Sequence, residues 1–283
     1  MIGHVDGLRC QKSSAGTYDL QPMFDTHCHL TFPGLKDQLH EVIDRALDQG
    51  VQGMITVSTC PEDLEAGLHL AQTYSRIWCT SGIHPHHAEK SVDWDRVKAV
   101  AEDHKCLAWG ELGLDWHYPD PPREAQLNCL EAHLDCIESA RSEGLDLPIV
   151  VHCRKSLADL LPIFEKRTLP PEQYVFHCFT GNADEARRIL DFGSWISFTG
   201  VLTFPSAPEV AEAARLVPLD RVMVETDSPY LSPEPVRKVR PNEPSHVTWV
   251  ARYLADLHGM PFAEMEAILD ANAERFFNFS ISN

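Results

Sequence analysis

The chain of 283 residues lacks any apolar run approaching the roughly 18 residues that a membrane-spanning helix requires, which excludes a helical span as the basis of its function. Its first stretch, MIGHVDGLRCQKSSAGTYDLQP, has no apolar centre of the kind a secretory signal needs. A cytoplasmic location without membrane contact is therefore the expectation. The nine cysteines are odd in number and include no CxxC pair, which argues against a disulfide frame or a cysteine-ligated zinc and for reduced, packed thiols. A basic excess is missing too. With 24 Lys and Arg against 42 Asp and Glu, the formal net charge is −18, so the molecule as a whole repels polyanions instead of gathering duplex through counterion release. A phosphate ester stays open as substrate, because metal cations in a cleft can reverse the local field. No repeat, low-complexity tract or linker divides the chain.

The 43% of hydrophobic and 23% of charged residues suit a soluble globular protein with a sizeable core. Eight short apolar runs have strand character: 21–24, 52–57, 76–80, 105–109, 148–151, 174–176, 194–197 and 221–224. Segments of helical period lie between them. Leu35, Leu39, Val42, Ile43, Ala46 and Leu47 form one stripe before Gly50, and Pro61 opens a helix with Leu64, Leu68 and Ala71 on one face. A loop through YPDPP leads into a helix over about 123–143, and a final pair starts near Ser245, a good N-cap, and ends with 262–277. Alternating strands and helices fit a closed barrel or an open doubly wound sheet. The polar segments DTHCH, STC, GIHPHH, GELGLD, HCR, HCFTG, SFTG and ETDSP each follow a run, and ligands from the first, fourth, fifth, sixth and eighth runs can meet only if the sheet closes. The expectation is an α/β fold, a single-domain (β/α)8 TIM barrel over residues 21–283, preceded by a polar extension over residues 1–20.

His27 and His29 stand one residue apart, and in extended chain residues i and i+2 point to the same side, so both imidazoles can reach one metal ion. Glu111, His152, His177 and Asp227 each follow an apolar run. A histidine or acid buried at the end of a core strand carries a desolvation cost unless it is paired or metal-bound. Taken together, the six point to a metal centre. Four imidazoles and two carboxylates without a thiolate suit Zn, Mn, Fe or Mg. Six ligands exceed what one catalytic ion with open positions needs, so two divalent cations are expected, with Glu111 as the candidate bridge.

The segments FDTHCHL (24–30), GIHPH (82–86), GELGLD (110–115), VHCR (151–154), HCFTG (177–181), ETDSPYL (225–231), NEP (242–244) and NAERFF (272–277) resemble the TatD family of metal-dependent deoxyribonucleases among the amidohydrolase-like barrels. The resemblance covers nearly the whole chain. It implies a TIM barrel with two divalent ions (Mg, Mn or Zn), one held by His27, His29 and Asp227 and the other by His152 and His177, with Glu111 bridging. It also implies hydrolysis of phosphodiester bonds in DNA, often from an end. The chain departs from the family where a glycine-lysine step usually precedes the asparagine of NEP: here the run is VRKVRPNEP, with Arg240 nearest the lysine position. His133 also replaces a usual glutamine.

In such a centre a metal-bound hydroxide attacks phosphorus in line, and Asp227, beside it, is the expected proton acceptor. Arg154 lies on the same side of its strand as His152 and is a candidate forked donor to a substrate phosphate. His84 is a further candidate donor to phosphate, Asp115 is expected to orient a neighbouring ligand, and Cys28, Cys153 and Cys178 to face away from the metals. Two rival functions remain. A lactonase or amidohydrolase would keep the metals but favour a carboxylated lysine where this chain has Glu111, with Lys105 at the other end of that strand. A non-catalytic metal-binding barrel is the other. DNA or another phosphodiester is the expected partner. No feature sets the oligomeric state, and a monomer is compatible with the sequence.

Overall fold

A computed structural model describes residues 23–280; the extension expected over residues 1–20 lies outside the described residues. Eight strands, β1 (Met23–Cys28), β2 (Val51–Thr56), β3 (Ile77–Ser81), β4 (Cys106–Asp115), β5 (Ile149–Arg154), β6 (Tyr174–Phe176), β7 (Trp195–Phe198) and β8 (Val222–Val224), form one sheet. Each pairs in parallel with the next, in the order β1 to β8. Helices α1 (Leu39–Asp48), α2 (Pro61–Thr73), α3 (Trp94–Ala101), α4 (Arg123–Ser142), α5 (Leu157–Phe164), α6 (Ala183–Phe192) and α7 (Pro208–Leu216) lie between the strands, and α8 (Val247–His258) and α9 (Phe262–Phe277) close the chain. This is the expected TIM barrel. Its strands are continuous apolar runs because a parallel sheet under helices is buried on both faces.

The barrel closes at one end by a narrow seam. β1 and β8 share no ladder but meet where Cys28 bridges Ser228, with Asp227 N donating to the His27 carbonyl at 2.9 Å and His29 N to the Ser228 carbonyl at 2.8 Å. Asp25 reinforces the seam: its carboxylate accepts from Thr226 Oγ1 at 2.6 Å and Thr226 N at 2.9 Å. The backbone bonds that shut the barrel thus also fix His27, His29 and Asp227 beside one another. The interior below is filled by Phe24, Ile55, Leu107, Val150, Val175, Trp195 and Met223, residues from seven different strands that can meet only inside a closed barrel. Phe276 and Phe277 at the end of α9 plug the far mouth.

The strands run on past the apolar runs that announce them: β1 to Cys28, β4 to Asp115 and β5 to Arg154, beyond the run ends at 24, 109 and 151. In β4 a Cβ at Gly113 (φ +148°) would lie 1.9 Å from the His152 carbonyl oxygen, so this glycine is what lets β4 continue against β5. Ser245 does not cap α8: it sits inside a short 3-10 turn, Pro244–His246, and its hydroxyl donates to Glu243 Oε1 at 2.6 Å. Glu243 is held there by Arg45, which donates to it at 2.7 Å, so the serine serves the turn before the helix.

Candidate metal centre

The six proposed ligands gather at the rim where the strands end. His27 Nε2 lies 3.3 Å from His29 Nε2, 3.4 Å from Glu111 Oε2 and 3.6 Å from Asp227 Oδ1, and His29 Nε2 is 3.2 Å from the same aspartate oxygen. The other glutamate oxygen, Oε1, faces a separate group: His152 Nδ1 and His177 Nε2, each at 2.7 Å. His84 joins this second group, its Nε2 3.1 Å from His152 Nδ1 and 3.5 Å from Glu111 Oε1. His27 and His177 stack, with centroids 4.0 Å apart and planes 8° apart. The two sets of imidazoles meet back to back around one carboxylate.

Whether these donors suit cations is a matter of spacing and charge. Ligand atoms about 2.1 Å from one tetrahedral ion stand roughly 3.4 Å from each other, which matches the 3.3, 3.4 and 3.6 Å from His27 to His29, Glu111 and Asp227 and the 3.2 Å from His29 to Asp227, although Asp227 falls outside the compact donor sets. Two of the outward nitrogens are committed. His29 Nδ1 donates to the Val57 carbonyl at 3.2 Å and His152 Nε2 to Asp115 Oδ2 at 3.0 Å, so each neutral ring turns a lone pair into the cluster. Lone pairs that face one another and a carboxylate require positive charge between them, as protons or as cations. The titration behaviour agrees. Burial opposes charge on His177, yet the Glu111 carboxylate holds its pKa well above the ordinary histidine value. Burial likewise opposes charge on Glu111, but His177 and His84 keep it well below the usual carboxylate range. Compact sets of donors are His27, His29 and Glu111; His27, His177 and Glu225; and His84, Glu111 and His152.

Two members of these sets sharpen the sequence expectation. His84 lies within the cluster, and its Nδ1 also accepts from His86 N at 3.0 Å, so one ring serves the loop and the site together. Glu225 was not singled out from sequence. It is buried, with Oε1 accepting from Cys178 N at 2.7 Å and 3.3 Å from His177 Nδ1, and Oε2 accepting from Ser197 Oγ at 2.5 Å and Thr26 Oγ1 at 3.2 Å. Its signal was its place two residues before Asp227 in ETDSP, the same alternation that made His27 and His29 visible. Asp115 touches His152, and its Oδ2 lies 3.2 Å from His86 Nε2 as well.

The surrounding residues divide clearly. Cys28 Sγ points at the Ile55 carbonyl, 3.3 Å away, and Cys178 Sγ at Thr199 Oγ1, 3.5 Å away; among the described residues no cysteine belongs to a candidate ligand set. Arg154 is exposed at the end of β5 and, with Lys155, His117 and Phe179, lines a cavity of about 260 Å3 that reaches His177. Arg240 is tied down, donating to Ser232 Oγ at 2.6 Å and to the carbonyls of Arg237 and Val239. His133 is buried away from the cluster beside Trp94 and Trp109. Lys105 Nζ donates to the carbonyls of Ile77 and Ser75 at 2.9 and 3.0 Å, at the opposite end of β4 from Glu111. Among the described residues no helix is long and apolar enough to cross a membrane.

Comparison with known proteins follows the same lines. The family model for TatD related DNase matches residues 24–278. A metal-dependent hydrolase of Bacillus subtilis, YabD, is 32% identical over 91% of this chain and 100% of its own length. A protein of Citrobacter koseri named 3'-5' ssDNA/RNA exonuclease TatD is 31% identical, over 91% of this chain and 100% of its own. Among solved structures, the TatD homologue YjjV of Escherichia coli superposes with a TM-score of 0.84 at 29% identity, covering 91% of this chain and 98% of that one.

Proposed function

This chain belongs to the TatD family of metal-dependent hydrolases, and on that premise we propose that it cleaves phosphodiester bonds at the ends of single-stranded DNA using a dinuclear metal site. The observation that carries the proposal is the division of Glu111, whose Oε2 faces His27 and whose Oε1 faces His152 and His177. A carboxylate so placed suits a bridge between two ions. His27, His29 and Asp227 would hold one and His152 and His177 the other, with His84 within reach of the second. Bound there, two divalent cations would lower the pKa of a water and neutralise charge on the phosphate oxygens.

The chain's own groups supply the remaining roles. Asp227, at 15% side-chain exposure, is the member of its group open to incoming water and serves as proton acceptor. Its backbone has φ of 51°, a conformation that costs an ordinary residue on the order of 1 kcal/mol and persists where the surroundings impose it. Here the seam bond to His27 imposes it, and the carboxylate is thereby aimed at the histidines. Arg154 and His84 are the donors to substrate phosphate. The net charge of −18 disfavours long duplex, whereas a short or unpaired end presents fewer phosphates to the repelling surface. The exonuclease name of the Citrobacter relative agrees with that preference.

A grid of activities tests the proposal: chelated protein reconstituted with Mg, Mn or Zn, assayed on single-stranded DNA, duplex, RNA and a small phosphodiester, with Glu111→Ala as control. Turnover on single-stranded ends that depends on added metal and vanishes in the variant is the expected result. No hydrolysis under any metal, or a Glu111→Ala protein as active as the parent, would overturn it.

A further inference from the structure

We propose that Tyr118 and Tyr230 are stacking platforms for unpaired bases on the two sides of the scissile phosphate, an inference that rests on the nuclease reading of the site. Both are 50% exposed, although large aromatic side chains leave water readily when a core is available. Tyr230 follows β8 and Tyr118 follows β4. In a barrel ordered β1 to β8 those strands lie half a turn apart, so the two rings stand across the mouth from each other with the Glu111 cluster between them.

Each ring is braced. Tyr230 stands edge-on to Phe32, with centroids 6.1 Å apart at 82°, and to the candidate ligand His29 at 6.4 Å. The backbone beneath it is pinned by the buried Asn242, which donates to the carbonyls of Tyr230 at 2.5 Å and Thr226 at 3.0 Å. Tyr118 is flanked edge-on by His86 at 5.4 Å and His117 at 4.6 Å, and the Arg154 guanidinium lies over it, 5.3 Å from its centroid. Arg154 and Lys155 then continue into the cavity beside His177. Exposed rings held in fixed positions, that of Tyr118 next to cations on an otherwise acidic protein, have the chemistry of a single-strand track: bases stack on the rings and phosphates meet the cations. Duplex cannot use it, because its bases already stack on one another.

The test is equilibrium binding of the metal-loaded protein to a non-hydrolysable, phosphorothioate-linked octathymidylate and to a strand of the same length made of abasic nucleotides, read by fluorescence anisotropy. Tyr118→Ala and Tyr230→Ala should each weaken binding of the base-bearing strand roughly tenfold, while the phenylalanine variants stay within about twofold of the parent. On the abasic strand all variants should bind as the parent does. Equal losses on both strands, no loss in either alanine variant, or no binding by the parent would overturn the inference. The nuclease reading fails separately. Base-dependent binding through both tyrosines without hydrolysis under any metal supports the platforms and removes the nuclease, whereas hydrolysis with alanine variants that bind like the parent does the reverse.

Discussion

The carboxylates of the imidazole cluster and those of α9 at the other end of the barrel are held in opposite electrical states. Asp25, which bonds Thr226 at the seam outside the cluster, is pushed up to about 8 like the latter. At the rim where the strands end, Glu111, Asp115, Glu225 and Asp227 all have pKa values below the ordinary carboxylate range, although burial works against each of them. At the plugged end, Asp270 and Glu266 on α9 are buried too, but there burial prevails and pushes them up to about 8 and about 7. Residue type and depth are similar. The difference lies in the partners: imidazoles surround the rim carboxylates, whereas Asp270 faces the acids Glu266 and Glu274 with only the Phe24 backbone N–H to oppose them. Burial alone makes a carboxylate a neutral acid, and only a surplus of cationic or cation-seeking neighbours keeps it an anion. A site whose acids stay ionised at depth is one that has positive charge to receive.

The largest effects should come from removing that anionic character at the rim. Glu111→Gln keeps the shape but takes away the charge that faces both imidazole groups, and Asp227→Asn does the same to one group. Both variants should retain the parent's circular dichroism and lose turnover to background, Glu111→Gln with reduced metal content by elemental analysis as well. A Glu111→Gln protein that still carries two metals per chain would break the claimed difference between the two ends.

A smaller effect is expected one contact further out. Glu225 and Asp115 each touch the outward nitrogen of a histidine, His177 at 3.3 Å and His152 at 3.0 Å, and so set which nitrogen faces the cluster. Such outer carboxylates typically contribute about 10- to 100-fold in metal affinity. Glu225→Gln and Asp115→Asn should weaken metal binding by that order in competition with a chelating dye. Unchanged affinity in both would mean that the rim carboxylates owe their low pKa to general crowding.

Much of this rim was legible in the sequence because strand alternation and the apolar runs before each polar segment are local signals. The eight strands, the barrel and the residues that gather as the cluster follow from them. What was not legible depends on contacts between distant segments. The apolar run of β4 ends at Trp109, and only the neighbouring carbonyl of His152 shows why the strand continues through Gly113. Glu225 was passed over because its meaning comes from His177, Ser197 and Thr26, which lie on three other segments. Ser245 has the composition of an N-cap, yet Arg45 and Glu243, 198 residues apart, decide what it bonds. Asp270 looks like any surface acid of an amphipathic helix until α9 is seen to pack on β1 and plug the barrel.

That helix gives the mildest test of the comparison. A carboxyl whose folded pKa is raised favours the folded state while protonated. Its contribution is fully present below the unfolded pKa, near 3.8 for Asp270, and is lost as pH rises through about 8. Asp270→Asn removes this dependence without touching the rim. Its melting temperature should therefore rise relative to the parent's from pH 5 to about pH 8, by on the order of 10 °C, and level off above that. Metal content should stay unchanged. If the difference between variant and parent did not change with pH, the Asp270 carboxylate would have to be ionised in the folded protein, and the two ends of the barrel would differ in shape but not in electrical character.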